Sequence, residues 1–174
     1  MLAGGAMLAA GASRHARAGV SVPWIAQRSA TDCGRAVLAS LIAWRRGGSP
    51  AAQYDRIPDP ADRSRGYSIA EMRRLGGRFG VSLGVIAPRT VIIAGQCATN
   101  PAITAYFANL AQIAARHPVV VPVSSFSVGH YLVLTDASGG AFTVLDPASG
   151  MRTMSAAALQ SSMCGFGYVA LEAR

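Results

Sequence analysis

The spacing of apolar residues changes near Gly80, and that change limits the fold more than any other feature of the chain. Up to Gly80 the spacing is helical. Cys33, Ala36, Val37, Ser40, Leu41 and Trp44 share one helix face; Thr31 or Asp32 can cap that helix, and Gly47-Gly48 ends it. Ser49 can cap a short helix over 50–54, and a polar loop with two prolines follows over 57–66. Ser68, with Glu71 three residues on, makes a capping box for a helix running to Phe79. Beyond Gly80 one helical stretch remains, over 101–116, with Ile103, Phe107, Leu110 and Ile113 facing inward. The rest reads as strands over 81–86, 119–123, 131–135, 141–145 and 166–171, with a short helix over 155–161. Ser138-Gly139-Gly140 joins two of the strands into a hairpin. Helices followed by an antiparallel sheet predict an α+β domain whose two parts face each other.

Composition removes several classes of function. A chain of 174 residues makes one domain. Charged residues are 14%, so the chain is too apolar for disorder, and three Cys are too few for a disulfide scaffold. No apolar run reaches the roughly 18 residues that a membrane-spanning helix needs. The net charge is +8 and every basic residue is Arg. These arginines are scattered as singles and pairs, such as Arg45-Arg46 and Arg73-Arg74, with no aromatic interleaving, so no nucleic-acid partner is expected. Residues 1–18 differ from the rest: a small, apolar run over 2–12 leads to Ala16-Arg17-Ala18, which has the small-x-small shape of a cleavage site. No basic residue precedes that run. The segment is read as an export signal, with 19–174 as the folded domain in the periplasm or secreted.

With three Cys and three His, a catalytic pair is easy to enumerate. Cys33 falls in the first turn of the first helix, where free N–H groups and partial positive charge favour a thiolate. Gly34 beside it is read as room for a substrate backbone. His130 opens a strand, and Asp146 ends the next strand of the same hairpin. Pairing across the Gly139-Gly140 turn makes them neighbours although sixteen residues separate them, and the carboxylate can then orient the imidazole. Gln27, six residues before Cys33, can donate its side-chain amide to an oxyanion. Taken singly, each is ordinary: a buried thiol, a core histidine, a turn aspartate, a surface amide. Four together in the order Gln, Cys, His, Asp are not.

Three stretches carry a resemblance. Pro23-Trp24-Ile25-Ala26-Gln27-Arg28-Ser29-Ala30-Thr31-Asp32-Cys33-Gly34-Arg35-Ala36 resembles the start of the bacteriocin-processing cysteine peptidases. These are papain-like domains at the amino end of peptide-exporting ABC transporters, which cut leader peptides after a double glycine. Gly129-His130-Tyr131-Leu132-Val133-Leu134 and Val144-Leu145-Asp146-Pro147-Ala148-Ser149-Gly150 resemble the family's His and Asp segments. Tyr67-Ser68-Ile69 and the helix after it are similar to the family's Gly-x-Ser helix. The resemblance spans 22–171 and implies a papain-like fold and cysteine-peptidase activity through a thioester. It further implies Cys33 as nucleophile, His130 as base, Asp146 as its orienting partner, and Gln27 with the Cys33 N–H as oxyanion hole. The substrate would be a peptide or protein, with a double-glycine-like leader as the family's type, and a separate export machinery would be the partner.

No membrane span and no ATPase accompany the motifs, so a free-standing peptidase is expected. The stretch 88–118 is longer than the family's usual connection, and its helix is expected to reshape the substrate groove. Two alternatives stay open: a non-cleaving peptide-binding or assembly module of the same fold, and a cell-wall peptide hydrolase or transpeptidase. Cys97 and Cys164 are either packed or free thiols or, in an exported protein, a disulfide that leaves Cys33 free. His117 is read as a surface residue. No metal, nucleotide or other cofactor is expected.

Overall fold

The computed structural model describes residues 19–88, 100–125 and 128–174. Its first helix, α1 (Cys33–Arg46), is buried all round from Ala36 to Ala43, beyond the single face that the apolar spacing predicts. Its chain leaves the helix through Gly47 at φ +75. α2 (Pro50–Tyr54) starts under Ser49, whose hydroxyl accepts from the Ala51 N–H at 3.2 Å. α3 (Ile69–Arg78) carries the complete capping box. The Glu71 N–H donates to the Ser68 hydroxyl, and the Ser68 N–H donates to the Glu71 carboxylate. α4 (Pro101–Ala114) starts under Asn100 and buries Ile103, Tyr106, Phe107 and Leu110. α5 (Ala156–Met163) starts under Ser155.

Six strands form one antiparallel sheet: β1 (Leu83–Ile86), β2 (Val119–Ser125), β3 (Val128–Ser138), β4 (Ala141–Asp146), β5 (Gly150–Ser155) and β6 (Ala170–Ala173). Their order is β1-β6-β2-β3-β4-β5. Gly139 at φ +57 and Gly140 at φ +77 form the two-residue turn between β3 and β4, a conformation that favours glycine at both positions.

Both faces of the sheet are covered. Val120, Val133 and Leu145 pack with α1–α3, whereas Val119, Val121, Leu132, Leu134 and Val144 pack with α4 and α5. A strand covered on both faces reads as a continuous apolar run, and this accounts for Val119-Val120-Val121 and Leu132-Val133-Leu134. The α+β reading therefore holds, with a second helical layer added on the far face.

Two local expectations differ. The strand expected over 166–171 is a 3-10 turn (Cys164–Phe166) followed by Gly167 and Tyr168, both at positive φ, so β6 starts only at Ala170. β5 was not anticipated. It is an edge strand of mostly exposed residues and shows no apolar alternation to betray it.

The joint between α1 and the sheet runs through Tyr67. A methyl group on Gly34 would lie 2.9 Å from Tyr67 Cδ2, 3.0 Å from Tyr67 Cβ and 3.1 Å from Met72 Sδ. Gly34 is therefore buried against Tyr67, and the room expected there for a substrate backbone is filled by protein. Tyr131 on β3 donates its hydroxyl to the Tyr67 carbonyl at 2.9 Å. Alanine at position 34 would gain about 1 kcal/mol in helix propensity. Overpacking against the ring and Cβ of Tyr67 costs about 1–3 kcal/mol, so the clash wins. Gly34→Ala should unfold at lower urea than the parent chain; equal or greater stability would show that the joint can yield.

Candidate active site

Cys33 occupies the first position of α1 and is buried and free. Asp32 precedes it at the cap position, but its side chain makes no cap bond. It accepts instead from the Tyr54 hydroxyl at 2.7 Å. Burial, followed by that bond, pushes the Tyr54 phenol up to about 12. Asp32 is thus engaged by α2, and no carboxylate closes the end of the helix that carries the thiol.

His130 lies on β3 opposite Val123 of β2. Asp146 ends β4, and its side chain is only 8% exposed. Continuing the β3–β4 register past Val133↔Leu145 brings Asp146 one diagonal step from His130. The His130 Nε2 to Asp146 Oδ1 distance is 2.8 Å. An ionised carboxylate can only accept, so Nε2–H donates and Nδ1 is left as the basic nitrogen. The Cys33 side chain acts on the same imidazole and raises its pKa. His130 and Asp146 are thus brought together as the spacing predicts, with the Cys33 thiol close enough to influence the ring.

Their electrostatics are mutual. Burial is the largest effect on His130 and disfavours its charge, but the bonds to Cys33 and Asp146 and their negative charges outweigh it, so the pKa is raised above 6.5. Burial is also the largest effect on Asp146. Bonds from His130, the Ala148 N–H and Ser149, with the His130 charge, overcome it and hold the carboxyl below 3.8.

Gln27 reaches the same place differently. Its backbone N–H donates to the Pro147 carbonyl at 3.0 Å, and its side-chain Nε2 donates one hydrogen to the Ser29 carbonyl at 2.9 Å. The second amide hydrogen stays available, and Oε1 is buried without a hydrogen-bond partner. Gln27, His130 and Asp146 line one cleft of about 650 Å³, with Arg152 and Met154 from β5 and Ser162 from α5. α4 supplies no wall of this cleft. The described part of 88–118 buttresses the far face of the sheet and does not reshape the groove as expected.

Two contributors escaped the sequence reading. The Trp24 indole N–H donates to the Asp146 carbonyl at 2.9 Å, and Arg152 Nε and Nη2 each lie 3.3 Å from Asp146 Oδ2. The signal for Arg152 was the Asp146…Gly150 turn: with β5 recognised, Arg152 falls two residues past the partner of Asp146, on the same face. Cys164 is disulfide-bonded, whereas Cys97 and residues 1–18, expected to be an export signal, lie outside the described residues. His117 is half-exposed, with Nε2 3.9 Å from Glu172. Among the described residues no cluster of His, Cys, Asp and Glu could hold a metal, and no helix is long and apolar enough to cross a membrane.

No family model and no curated protein matches the chain. Solved structures do. One is a double-glycine-motif protease from an AMS/PCAT transporter, solved with its leader peptide (TM-score 0.60, 18% identity, 91% of this chain and 94% of the other). Another is the peptidase domain of Streptococcus ComA, a bifunctional ABC transporter of a quorum-sensing pathway (TM-score 0.59, 20% identity, 88% and 98%). A third is a C39-like peptidase from Bacillus anthracis (TM-score 0.60, 13% identity, 89% and 95%). The chain has the C39 peptidase fold. In that fold α1 and the β3–β4 hairpin bring together the Cys, His and Asp described above.

The charge pair makes stability depend on pH. His130 has a raised folded pKa, so its contribution is complete below its ordinary value of 6.5 and is lost as pH rises through the folded value. Asp146 has a lowered one, so its contribution is present above 3.8 and is lost as pH falls through the folded value. The parent chain should exceed His130→Gln in urea stability by more near pH ~5.5 than near pH ~8.5. A gap independent of pH would contradict the raised pKa.

Proposed function

We propose that the protein is a cysteine peptidase that cleaves a peptide bond by acyl transfer. The observation that carries this reading is one imidazole bonded to a buried carboxylate at 2.8 Å and influenced by a free, buried thiol at a helix N-terminus, on a peptidase fold.

The chemistry follows from the geometry. Nδ1 of His130 takes the Cys33 proton as the sulfur attacks the carbonyl carbon of the scissile bond. The oxyanion that forms takes hydrogen bonds from the Cys33 N–H and from the second amide hydrogen of Gln27. His130 gives its Nδ1 proton to the leaving amine, and a thioester remains. Water then loses a proton to His130, attacks the thioester and releases the acid and the thiol. Asp146 stays ionised throughout, holding the ring by Nε2 and stabilising the imidazolium.

A leader-type peptide ending in a double glycine is the substrate class to test first. The similar transporter protease was solved with its leader peptide. We also propose that the enzyme works outside the cytoplasm, once 1–18 is removed. The disulfide at Cys164 supports this, because such bonds persist in oxidising compartments.

Cys33→Ala should abolish cleavage of a Gly-Gly leader peptide, followed by mass spectrometry, while circular dichroism shows the fold intact. Undiminished cleavage would refute the assignment. Asp146→Asn should lower kcat by up to about 10⁴-fold. An unchanged kcat would leave the nucleophile standing and remove Asp146 from the mechanism.

A further inference from the structure

We propose that Arg152 is a positioning residue that locks the Asp146 carboxylate, and through it the His130 ring, in the reactive orientation. This rests on the peptidase reading and adds a fourth charged side chain to the proposed site.

The Asp146 carboxylate is buried, so each of its oxygens needs donors. Oδ1 has two: His130 Nε2 and the Ala148 N–H, both at 2.8 Å. Oδ2 takes a fork from Arg152 Nε and Nη2, each at 3.3 Å. The fork fixes rotation about the Cβ–Cγ bond, and that rotation sets where Oδ1 meets the imidazole. Ser149 also bonds the carboxylate; without Arg152, Oδ2 loses both guanidinium N–H groups, and the carboxylate can turn towards the open cleft. The His130 ring then follows Oδ1 away from the thiol.

The placement of Arg152 suits this role. It sits on β5 opposite Val144, with its side chain 41% exposed in the cleft wall. It contributes little to the core, so its replacement should leave the fold intact. The charged groups around the imidazole are Cys33 from α1, Asp146 from β4 and, behind the carboxylate, Arg152 from β5. When His130 is protonated, the Asp146 carboxylate lies between two cations, the imidazolium and the Arg152 guanidinium. Removing the last cation leaves the Asp146 charge uncompensated and strengthens its hold on the imidazole proton.

The test needs no knowledge of the substrate. Neutral iodoacetamide near pH ~6 reacts slowly with an ordinary thiol and faster with one that its surroundings activate. Labelling is read by mass on the peptide carrying Cys33, and His130 is titrated by NMR in the same proteins. The parent chain should label much faster than a free-cysteine model compound. Arg152→Met should slow labelling on the order of tenfold and move the His130 titration to higher pH. Arg152→Lys, which keeps the charge and one donor, should restore most of the rate. If Arg152→Met labels at the parental rate with an unchanged His130 titration, the inference is wrong while the peptidase reading stands. A slowed rate that Lys fails to restore, with an unmoved titration and a lowered melting point, makes Arg152 merely structural and also overturns it. If the parent chain itself labels no faster than free cysteine, the peptidase reading fails and this inference fails with it.

Discussion

The site depends on the contact between Gly34 and Tyr67. The thiol and the imidazole sit on elements far apart in the chain, and the proposed acyl transfer tolerates little error in their separation. The residues beside them do the registering. Gly34, next to Cys33, has no side chain, and so α1 closes onto the Tyr67 ring. Tyr131, next to His130, bonds the Tyr67 carbonyl. Tyr67 in turn donates its hydroxyl to the Pro58 carbonyl at 2.6 Å, which anchors it to the loop after α2. One aromatic residue ahead of α3 thus sets the distance between α1 and β3. A larger residue at position 34 would act on chemistry through geometry, although it touches no reacting atom.

A second set of contacts holds the carboxylate side. The turn after β4 folds back on itself, with the Ala148 N–H on Asp146 Oδ1 and the Ser149 N–H on the Asp146 carbonyl. The entry segment then straps it from outside: Trp24 bonds the Asp146 carbonyl, and the Gln27 N–H bonds that of Pro147. This strap explains why a partly exposed tryptophan stands ahead of the Cys helix. It also means that the proposed oxyanion donor and the proposed orienting carboxylate are fixed to each other through the backbone, so they would move as one unit.

Much of this was legible because it rests on local chemistry. The Ser68–Glu71 capping box, the Ser49 cap before Pro50 and the Gly139-Gly140 turn each use residues whose preference for that conformation is strong and short-range. The neighbourhood of His130 and Asp146 followed from counting across a two-residue turn. What failed depends on tertiary context. β5 is an exposed edge, so no apolar alternation marks it, and Arg152 was lost with it. The 166–171 run is apolar enough for a strand, but Gly167 and Tyr168 turn the chain first. Gly34 next to a candidate nucleophile invited a substrate, when the space beside it belongs to Tyr67. Helix 101–114 was read correctly as a helix, yet only the folded sheet decides which face it covers.

The charges of the site are best understood as a single chain. An isolated buried carboxylate or imidazolium costs several kcal/mol in lost hydration, and in each case burial is the largest effect on the group. Each offsets that cost for the other: the carboxylate favours the charged imidazole and the imidazole favours the carboxylate, with Cys33 beside the ring and the Arg152 guanidinium behind the carboxylate. The consequence is that no member can be assigned an independent energy, since deleting one changes the ionisation of its neighbours. It also explains the exposure gradient. Cys33, His130 and Asp146 are enclosed, where a low dielectric strengthens their coupling, while Arg152 opens to the cleft at 41% exposure. A half-solvated guanidinium carries a smaller desolvation cost than a buried one and still meets both requirements of Oδ2, charge and direction.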